Sequence, residues 1–486
     1  MFAAKLLAFC LLFDGFAASQ SLVIQRVTLI DGTGSAARPD MTVVITGNRI
    51  TAVGPWKKTR FPRNAQIVDG AGKFLIPGLW DMHAHGASDA RAPWSHLLFL
   101  ANGVVGVRDM AGPPDAHAWR AQQLSTGEPA PSVYLGSPIV DGPKPVWPGS
   151  IVAADEAQGR AAVVEQQARG ADFIKVYSRL PRGVYFAIAD EARKRGIAFE
   201  GHVPESVTAA EASDAGQKSI EHLTGVAAGC SSEEAPLRAE LHDVTERFRA
   251  PGATMADKIT AGKRILALQD RIRETYDDAN ARSLFARFVK NGTWQCPTLS
   301  EIRGQIDDPL NPDDPRLKYL SKDIRTSWDN AYQGLPPQVR AALVDSAKND
   351  FEEAKKIVDG MHRAGVPILA GTDTMNPQCF PGFGIHDELA LLVDAGLSPL
   401  AALQAATRNA ARFMGQSDLR GTIEVGKVAD LVLLDKNPLE DIHNTRSIDA
   451  VVLNGKLMTR AALHAMLTEA QTLASRPDAG GSGKRN

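Results

Sequence analysis

Six side chains able to bind a metal ion stand at or near the ends of apolar runs of strand length. They are His83 and His85 in Asp81-Met82-His83-Ala84-His85, Lys175 in Phe173-Ile174-Lys175-Val176-Tyr177, His202 after Phe199-Glu200-Gly201, His222 after Ser219-Ile220-Glu221, and Asp373 in Gly371-Thr372-Asp373. Residues i and i+2 of a strand share a side, so both imidazoles of the H-x-H can reach one ion. Gly78 and Asp81 precede the pair and offer close backbone approach and a carboxylate able to orient a ring. Lys175 is the odd member. An ammonium ~4 Å from a unit positive charge at an effective dielectric of ~20 is repelled by roughly 4 kcal/mol. Lys175 is therefore remote from any ion, or neutral, or has reacted with carbon dioxide to give a carbamate, an anion able to bridge two ions. Each of these residues alone also fits a structural role; the set of six points to a site.

The elements that must position them alternate along the chain. Strands are expected at 75–85, 104–109, 132–139, 173–177, 197–202, 219–222, 293–299 and 368–373. Amphipathic helices are expected at 153–169, 182–194 and 207–215. This order predicts an α/β fold, a (β/α)₈ TIM barrel over 77–413, with the ligands at its C-terminal mouth. Two longer insertions follow the sixth and seventh strands. Residues 231–291 read as charged, amphipathic helix, and 301–346, rich in Asp, Pro and aromatics, as a loop folding over the mouth. Outside the barrel, 22–30 and 41–53 at one end and 421–425, 430–434 and 450–457 at the other read as strands. Neither end covers its own face, so 20–76 and 414–470 are expected to form one small composite β-sandwich. Residues 471–486 read as a tail whose Gly/Ser-rich end, 478–486, is disordered.

With 486 residues and 44% hydrophobic content, the chain can bury a large core and a smaller one. Its formal net charge of −2 and lack of a basic run argue against nucleic acid as a partner. No run approaches ~18 apolar residues, so no membrane span is expected. Residues 1–19 read as a secretory signal, with Lys5, an apolar core over 6–13 and small Ala17-Ala18-Ser19 before Gln20. An exported, periplasmic or secreted protein is expected. Three cysteines would remain, and Cys230 and Cys379, on one barrel face, are either bridged or both unpaired.

The ligand pattern, with Gly170-Ala171-Asp172-Phe173-Ile174-Lys175-Val176-Tyr177, Gly201-His202-Val203-Pro204 and Ser219-Ile220-Glu221-His222-Leu223, resembles the amidohydrolase superfamily. Within it the chain is similar to the imidazolonepropionase-related and Xaa-Pro dipeptidase-like branch. The resemblance implies two divalent metal ions, Zn²⁺ for preference, and a carboxylated Lys175. It implies that His83, His85 and Asp373 hold a buried ion, His202 and His222 an exposed one, and Lys175 bridges both. Cleavage of an amide (peptide or N-acyl) bond in a small molecule is then expected, with Asp373 moving the proton from the attacking water to the departing amine. A homo-oligomer is expected as well. One departure is clear. The Gly-Gly-His segment found after the third strand in dipeptidase-like relatives is replaced here by Val140-Asp141-Gly142-Pro143-Lys144-Pro145-Val146-Trp147.

Three further residues are candidates for substrate contact. Tyr177, two beyond Lys175, faces the same side and either donates to an oxyanion or is a core tyrosine with its hydroxyl satisfied; Trp147 offers a stacking wall; Arg108 either clamps a substrate carboxylate or pairs with a neighbouring acid. Two rival readings remain. In a mononuclear deaminase or cyclic-amide hydrolase, Glu205 of His202-Val203-Pro204-Glu205 would shuttle protons; in a catalytically silent binding protein the barrel would persist without chemistry.

Overall fold

A computed structural model describes residues 21–306, 311–329 and 337–476. The expected signal at 1–19 and the Gly/Ser-rich end at 478–486 lie outside them. The fold is mixed α/β, and the two ends of the chain meet in one eight-stranded sheet. Ser21–Leu29 pairs antiparallel with Arg38–Thr46, and that strand turns at Gly47-Asn48 into Arg49–Pro55. Phe74–Pro77 pairs antiparallel with Leu431–Leu434, which joins Ile448–Leu453 and Lys456–Thr459 to the N-terminal strands. Alternate residues Leu22, Ile24, Val43, Ile45, Leu431, Leu433 and Val452 pack into a core of their own. Gln66–Asp69 is an added strand beside Ser21–Leu29.

The remaining strands are parallel. Leu79–Ala84, Val104–Asp109 and Ser132–Leu135 pair in that order. Phe173–Val176, Ala198–Gly201, Ser219–Glu221 and Trp294–Cys296 do likewise. Single parallel bridges join the two groups at Gly136 and Phe173, continue them from Gln295 to Ile368, and return from Thr374 to Ala84. Helices lie between successive strands. Glu156–Ala168 starts on Asp155, whose carboxylate accepts from Gln158 N. Arg182–Arg195 ends on left-handed Gly196, and Ala209–Asp214 opens with a Thr208–Glu211 capping box.

Three expectations need correction. Residues 368–373 form no regular strand. A Cβ on Gly371 would lie 2.6 Å from His83 N and 2.5 Å from Cys296 Sγ, and Asp373 takes φ +55°, so the segment presses against the first strand and then turns out of extended geometry. Residues 421–425 are loop, tied by Ile423 N donating to Asp31 O at 2.9 Å. The C-terminal element, Arg460–Ser475, is a helix capped by Thr459, where β structure and then a tail were expected. Its Ala470 and Ala474 pack with Trp94, Leu98 and Phe380.

The insertion at 231–291 is three helices, Glu234–Arg249, Met255–Glu274 and Asp278–Asn291. In the later insertion, Trp94 Nε1 donates to Tyr319 O at 2.8 Å and Trp328 Nε1 to Met375 O at 3.0 Å. Its described part is thus fastened beside the segment that carries Asp373. Cys230, Cys296 and Cys379 are all free and buried, so Cys230 and Cys379 are not bridged. Among the described residues no helix is long and apolar enough to cross a membrane.

His386 ties the two parts together: its Nδ1 meets Thr445 Oγ1 at 3.0 Å and its Nε2 meets Asn102 O at 3.1 Å. Burial, and then Arg446, push its pKa down to about 4. An unfolded histidine titrates near ~6.5, so as pH falls protons bind the unfolded chain first. Stability present above ~6.5 is lost progressively between there and about 4, to a total of roughly 3 kcal/mol. His386→Gln is expected to flatten this slope. Urea midpoints at pH 7 and pH 4.5 should differ less in the variant than in the wild type, and equal differences would refute the assignment.

Candidate metal centre

Asp81 does not orient an imidazole. Its carboxylate accepts from Thr372 N at 3.0 Å, Thr372 Oγ1 at 2.6 Å and His83 N at 3.2 Å, and so stitches the first strand to the segment before Asp373. The ring of His83 is held instead by Glu221, with Nδ1 to Oε2 at 2.7 Å. Glu221 is fully buried and receives Arg108 Nη2 at 2.8 Å. Arg108 is itself 0% exposed; its Nη1 donates to Glu200 Oε2 and Ser219 Oγ, both at 2.8 Å. Burial works against its charge, but Glu221 and Glu200 outweigh that and raise its pKa. Arg108 therefore lies beneath the site as the centre of an ion network. It has no free donor edge for a substrate carboxylate, which corrects the clamp reading.

The imidazoles of three histidines aim Nε2 at one carboxylate. His85 lies 3.1 Å and His83 3.4 Å from Asp373 Oδ1, and His222 lies 3.7 Å from Asp373 Oδ2. Residues distant in sequence meet this way because His222 and Asp373, both non-glycine, adopt φ +56° and +55° and turn their side chains inward at the strand ends. His202 completes the group, its ring 4.8 Å from that of His222. Each of His83, His202 and His222 has its Nδ1 occupied, by Glu221, by Ser178 Oγ at 2.9 Å and by Thr298 Oγ1 at 2.7 Å. This leaves Nε2 as the free ring nitrogen, the arrangement that presents an imidazole to a metal.

Charge follows the same logic. Burial first, then neighbouring cationic groups, pushes His83 and His202 well below the usual histidine range; burial also lowers His222. These rings are neutral near pH 7, as ligands must be. Burial opposes ionisation of Asp373, yet His222, His85 and Lys175 outweigh it and hold the carboxyl below its ordinary value. Lys175 is 1% exposed, and burial brings its pKa down to about 8 against the pull of Glu221 and Asp373. Its stem passes Gly201, where a Cβ would sit 3.1 Å from Lys175 Cδ and 2.2 Å from Val176 O. The donor set of neutral imidazoles and an ionised carboxylate fits divalent ions of the zinc type. His83, His85 and Asp373 bring ligand atoms within 4.8 Å of one another.

Toward the outside, two expected substrate residues come together. Trp147 Nε1 donates to Tyr177 OH at 2.8 Å, and the Tyr177 ring lies on His202 with centroids 3.9 Å apart. Burial pushes the Tyr177 phenol up to about 12, so it stays protonated. Asp141 shapes this loop by accepting from Gly142 N, Val146 N and Arg179 N at 2.7–2.9 Å. Glu205 points elsewhere: both its oxygens pair with Arg249 at 2.8 and 2.9 Å.

Several contributors were not foreseen. Ser178, Glu221 and Thr298 fix rings, Asn376 Nδ2 donates to Asp373 Oδ2 at 2.6 Å, and burial with nearby Asp373 raises Glu301 to about 7. Only adjacency in sequence, Glu221 to His222 and Ser178 to Tyr177, offered a signal. Loss of a group orienting a metal-bound histidine typically weakens metal affinity ~10–100-fold. Glu221→Gln is expected to show a fall of that order in a competition titration with a zinc chelator; wild-type affinity would count against the role given to Glu221.

Residues 130–458 match the model of the Amidohydrolase family. The chain is 26% identical over 507 aligned positions to ochratoxinase of Aspergillus niger, covering 90% of this chain and 86% of the relative. It is 35% identical over 135 positions to imidazolonepropionase of a Geobacillus species, covering 26% of this chain and 29% of the relative. Among solved structures it is similar to bottromycin amidohydrolase, with a TM-score of 0.70, 25% identity and coverage of 93% of this chain and 90% of that one. Members of this family generally use divalent metal ions, which agrees with the ligand groups found here. The chain belongs to the amidohydrolase family and is a hydrolase of carbon–nitrogen bonds.

Proposed function

We propose that this protein is a binuclear, zinc-dependent amidohydrolase that cleaves an amide bond, peptide or N-acyl, in a small molecule. The observation that carries the proposal is the convergence of His83, His85 and His222 Nε2 within 3.1–3.7 Å of the Asp373 carboxylate. His83, His85 and Asp373 would hold one ion, His202 and His222 the other, and Lys175, as its carbamate, would bridge them. When bound, such ions supply an activated water and polarise the scissile carbonyl. The sequence of parallel pairings that returns from Thr374 to Ala84 supports reading 77–413 as a (β/α)₈ barrel. The shared sheet supports a composite β domain from 20–76 and the strands after 414. The signal-like pattern at 1–19 supports export.

The chain's own groups divide the remaining work. Asp373, ionised at rest, accepts the proton of the attacking water and returns it to the departing amine. Tyr177 keeps its proton and accepts from Trp147, so its hydroxyl can donate to the developing oxyanion. Trp147, 51% exposed at the loop tip, gives the substrate an apolar wall. Amide and peptide-like substrates are favoured because ochratoxinase and bottromycin amidohydrolase stand among the similar proteins.

The test is a panel of Xaa-Pro dipeptides and N-acyl aromatic amino acids, assayed with zinc, after chelation and after zinc is restored. Hydrolysis lost on chelation and regained with about two ions per chain supports the proposal. Activity at one ion per chain would support a mononuclear centre, and zinc binding without hydrolysis of any amide would support a silent barrel.

A further inference from the structure

The parallel strands have a second end, opposite the ligands. Where Trp294 opens its strand and residues 365–368 lead toward Asp373, there is a cavity of about 470 Å³, within the ~300–1,000 Å³ range of small-molecule sites. Arg408, Arg412 and His362 line it beside Trp294, Pro367 and Leu397, and no Asp or Glu is among the lining residues. The length of the strands separates it from the metal centre.

Among the described residues the two arginines have no counter-charge. Arg408 Nη1 donates to Thr33 O at 2.7 Å and Nη2 to Gln404 Oε1 at 3.3 Å, both neutral acceptors. Its Nε is buried with no partner. Among the described residues neither Arg408 nor Arg412 forms an ion pair. They stand four apart on the short helix Arg408–Phe413, so their charges face one another. Burial and the Arg412 charge both push Arg408 below the usual arginine range. Arg412 also lies 5.7 Å over the Trp294 ring, which places cation and aromatic wall side by side. The unpartnered Nε of Arg408 and the repulsion between the two guanidinium groups both favour a bound anion.

We propose that this pocket binds a compact organic anion, a monocarboxylate with an apolar or aromatic body. The carboxylate lies between Arg408 and Arg412, where a guanidinium can take it in bidentate fashion, and the body rests against Trp294, Pro367 and Leu397. The Trp294 ring with Pro367 and Leu397 favours such a ligand over a free inorganic anion.

The probe is benzoate, titrated calorimetrically into the zinc-loaded full-length enzyme, with benzamide and inorganic phosphate as comparison ligands. One benzoate per chain is expected, with benzamide silent. Affinity should fall at least tenfold in Arg412→Gln and further in Arg408→Gln/Arg412→Gln. Arg412 is exposed, so its single variant keeps the fold, checked by its melting temperature, and its amide hydrolysis should equal that of the wild type. Benzoate binding both variants as tightly as the wild type would mean that the acid sits at the metal centre, and overturns the proposal. So does absence of benzoate binding, or phosphate binding with the same affinity and the same arginine dependence.

Discussion

Lys175→Ala is expected to lower kcat for amide hydrolysis by roughly 10³-fold or more, and added formate, acetate or propionate to restore part of it. The loss equals several kcal/mol of transition-state stabilisation, the scale of what metal ions contribute at such sites. Lys175 is 1% exposed and enclosed by His83, His222, Glu221 and Asp373 as charged or ligand neighbours. An ammonium there, facing two divalent ions, would be repelled by roughly 4 kcal/mol for every pair of unit charges at ~4 Å. Conversion to a carbamate reverses the sign of the charge. A short carboxylic acid entering the space vacated by the lysine stem supplies the same two oxygens, hence the rescue. Lys175→Arg retains a cation and cannot form the carbamate, so it should be inactive and beyond rescue. Full activity in Lys175→Ala would remove the binuclear account.

Arg108→Leu is expected to destabilise the fold by about 3–5 kcal/mol, because it strands Glu200 and Glu221 as buried charges without their partner. In a chain of this size that corresponds to a fall in melting temperature of roughly 3–5 °C. Zinc affinity should fall as well, since Arg108 holds the Glu221 carboxylate that fixes His83. Arg108→Lys should rescue little. A single ammonium cannot reproduce the planar fork that meets Glu200, Ser219 and Glu221 together. Thermal melts of both variants at neutral pH check this. A melting temperature within a degree or so of the wild type would contradict the network's structural role.

Local pattern sufficed where a residue's role depends on its own run of sequence, and it failed where partners are distant. Val104–Asp109 was legible because the apolar run 104–107 is what a strand buried on both faces requires, with Arg108 and Asp109 closing it. The i, i+2 spacing placed His83 and His85 on one side of a strand, and the four other ligand candidates gave that pair its weight. The segment at 368–373 was misread as regular strand, since its irregularity comes from contact of Gly371 with His83 and Cys296 rather than from its own composition. Arg108 was ambiguous because a cation at a strand end gives no sign of what lies below it; the acids that hold it are Glu200 and Glu221, 92 and 113 residues away. The ring-orienting partners were hidden for the same reason, Glu221 being 138 residues from His83 and Thr298 76 from His222. The helix Arg460–Ser475 was missed because the strands just before it set the expectation for what followed.

The most direct measurement is anomalous diffraction at the zinc edge, from crystals grown with zinc and bicarbonate. The account predicts two peaks, one among His83, His85 and Asp373 and one beside His202 and His222, with side-chain density running past Lys175 Nζ to join them. A single peak, or a lysine whose density stops at Nζ, would contradict it.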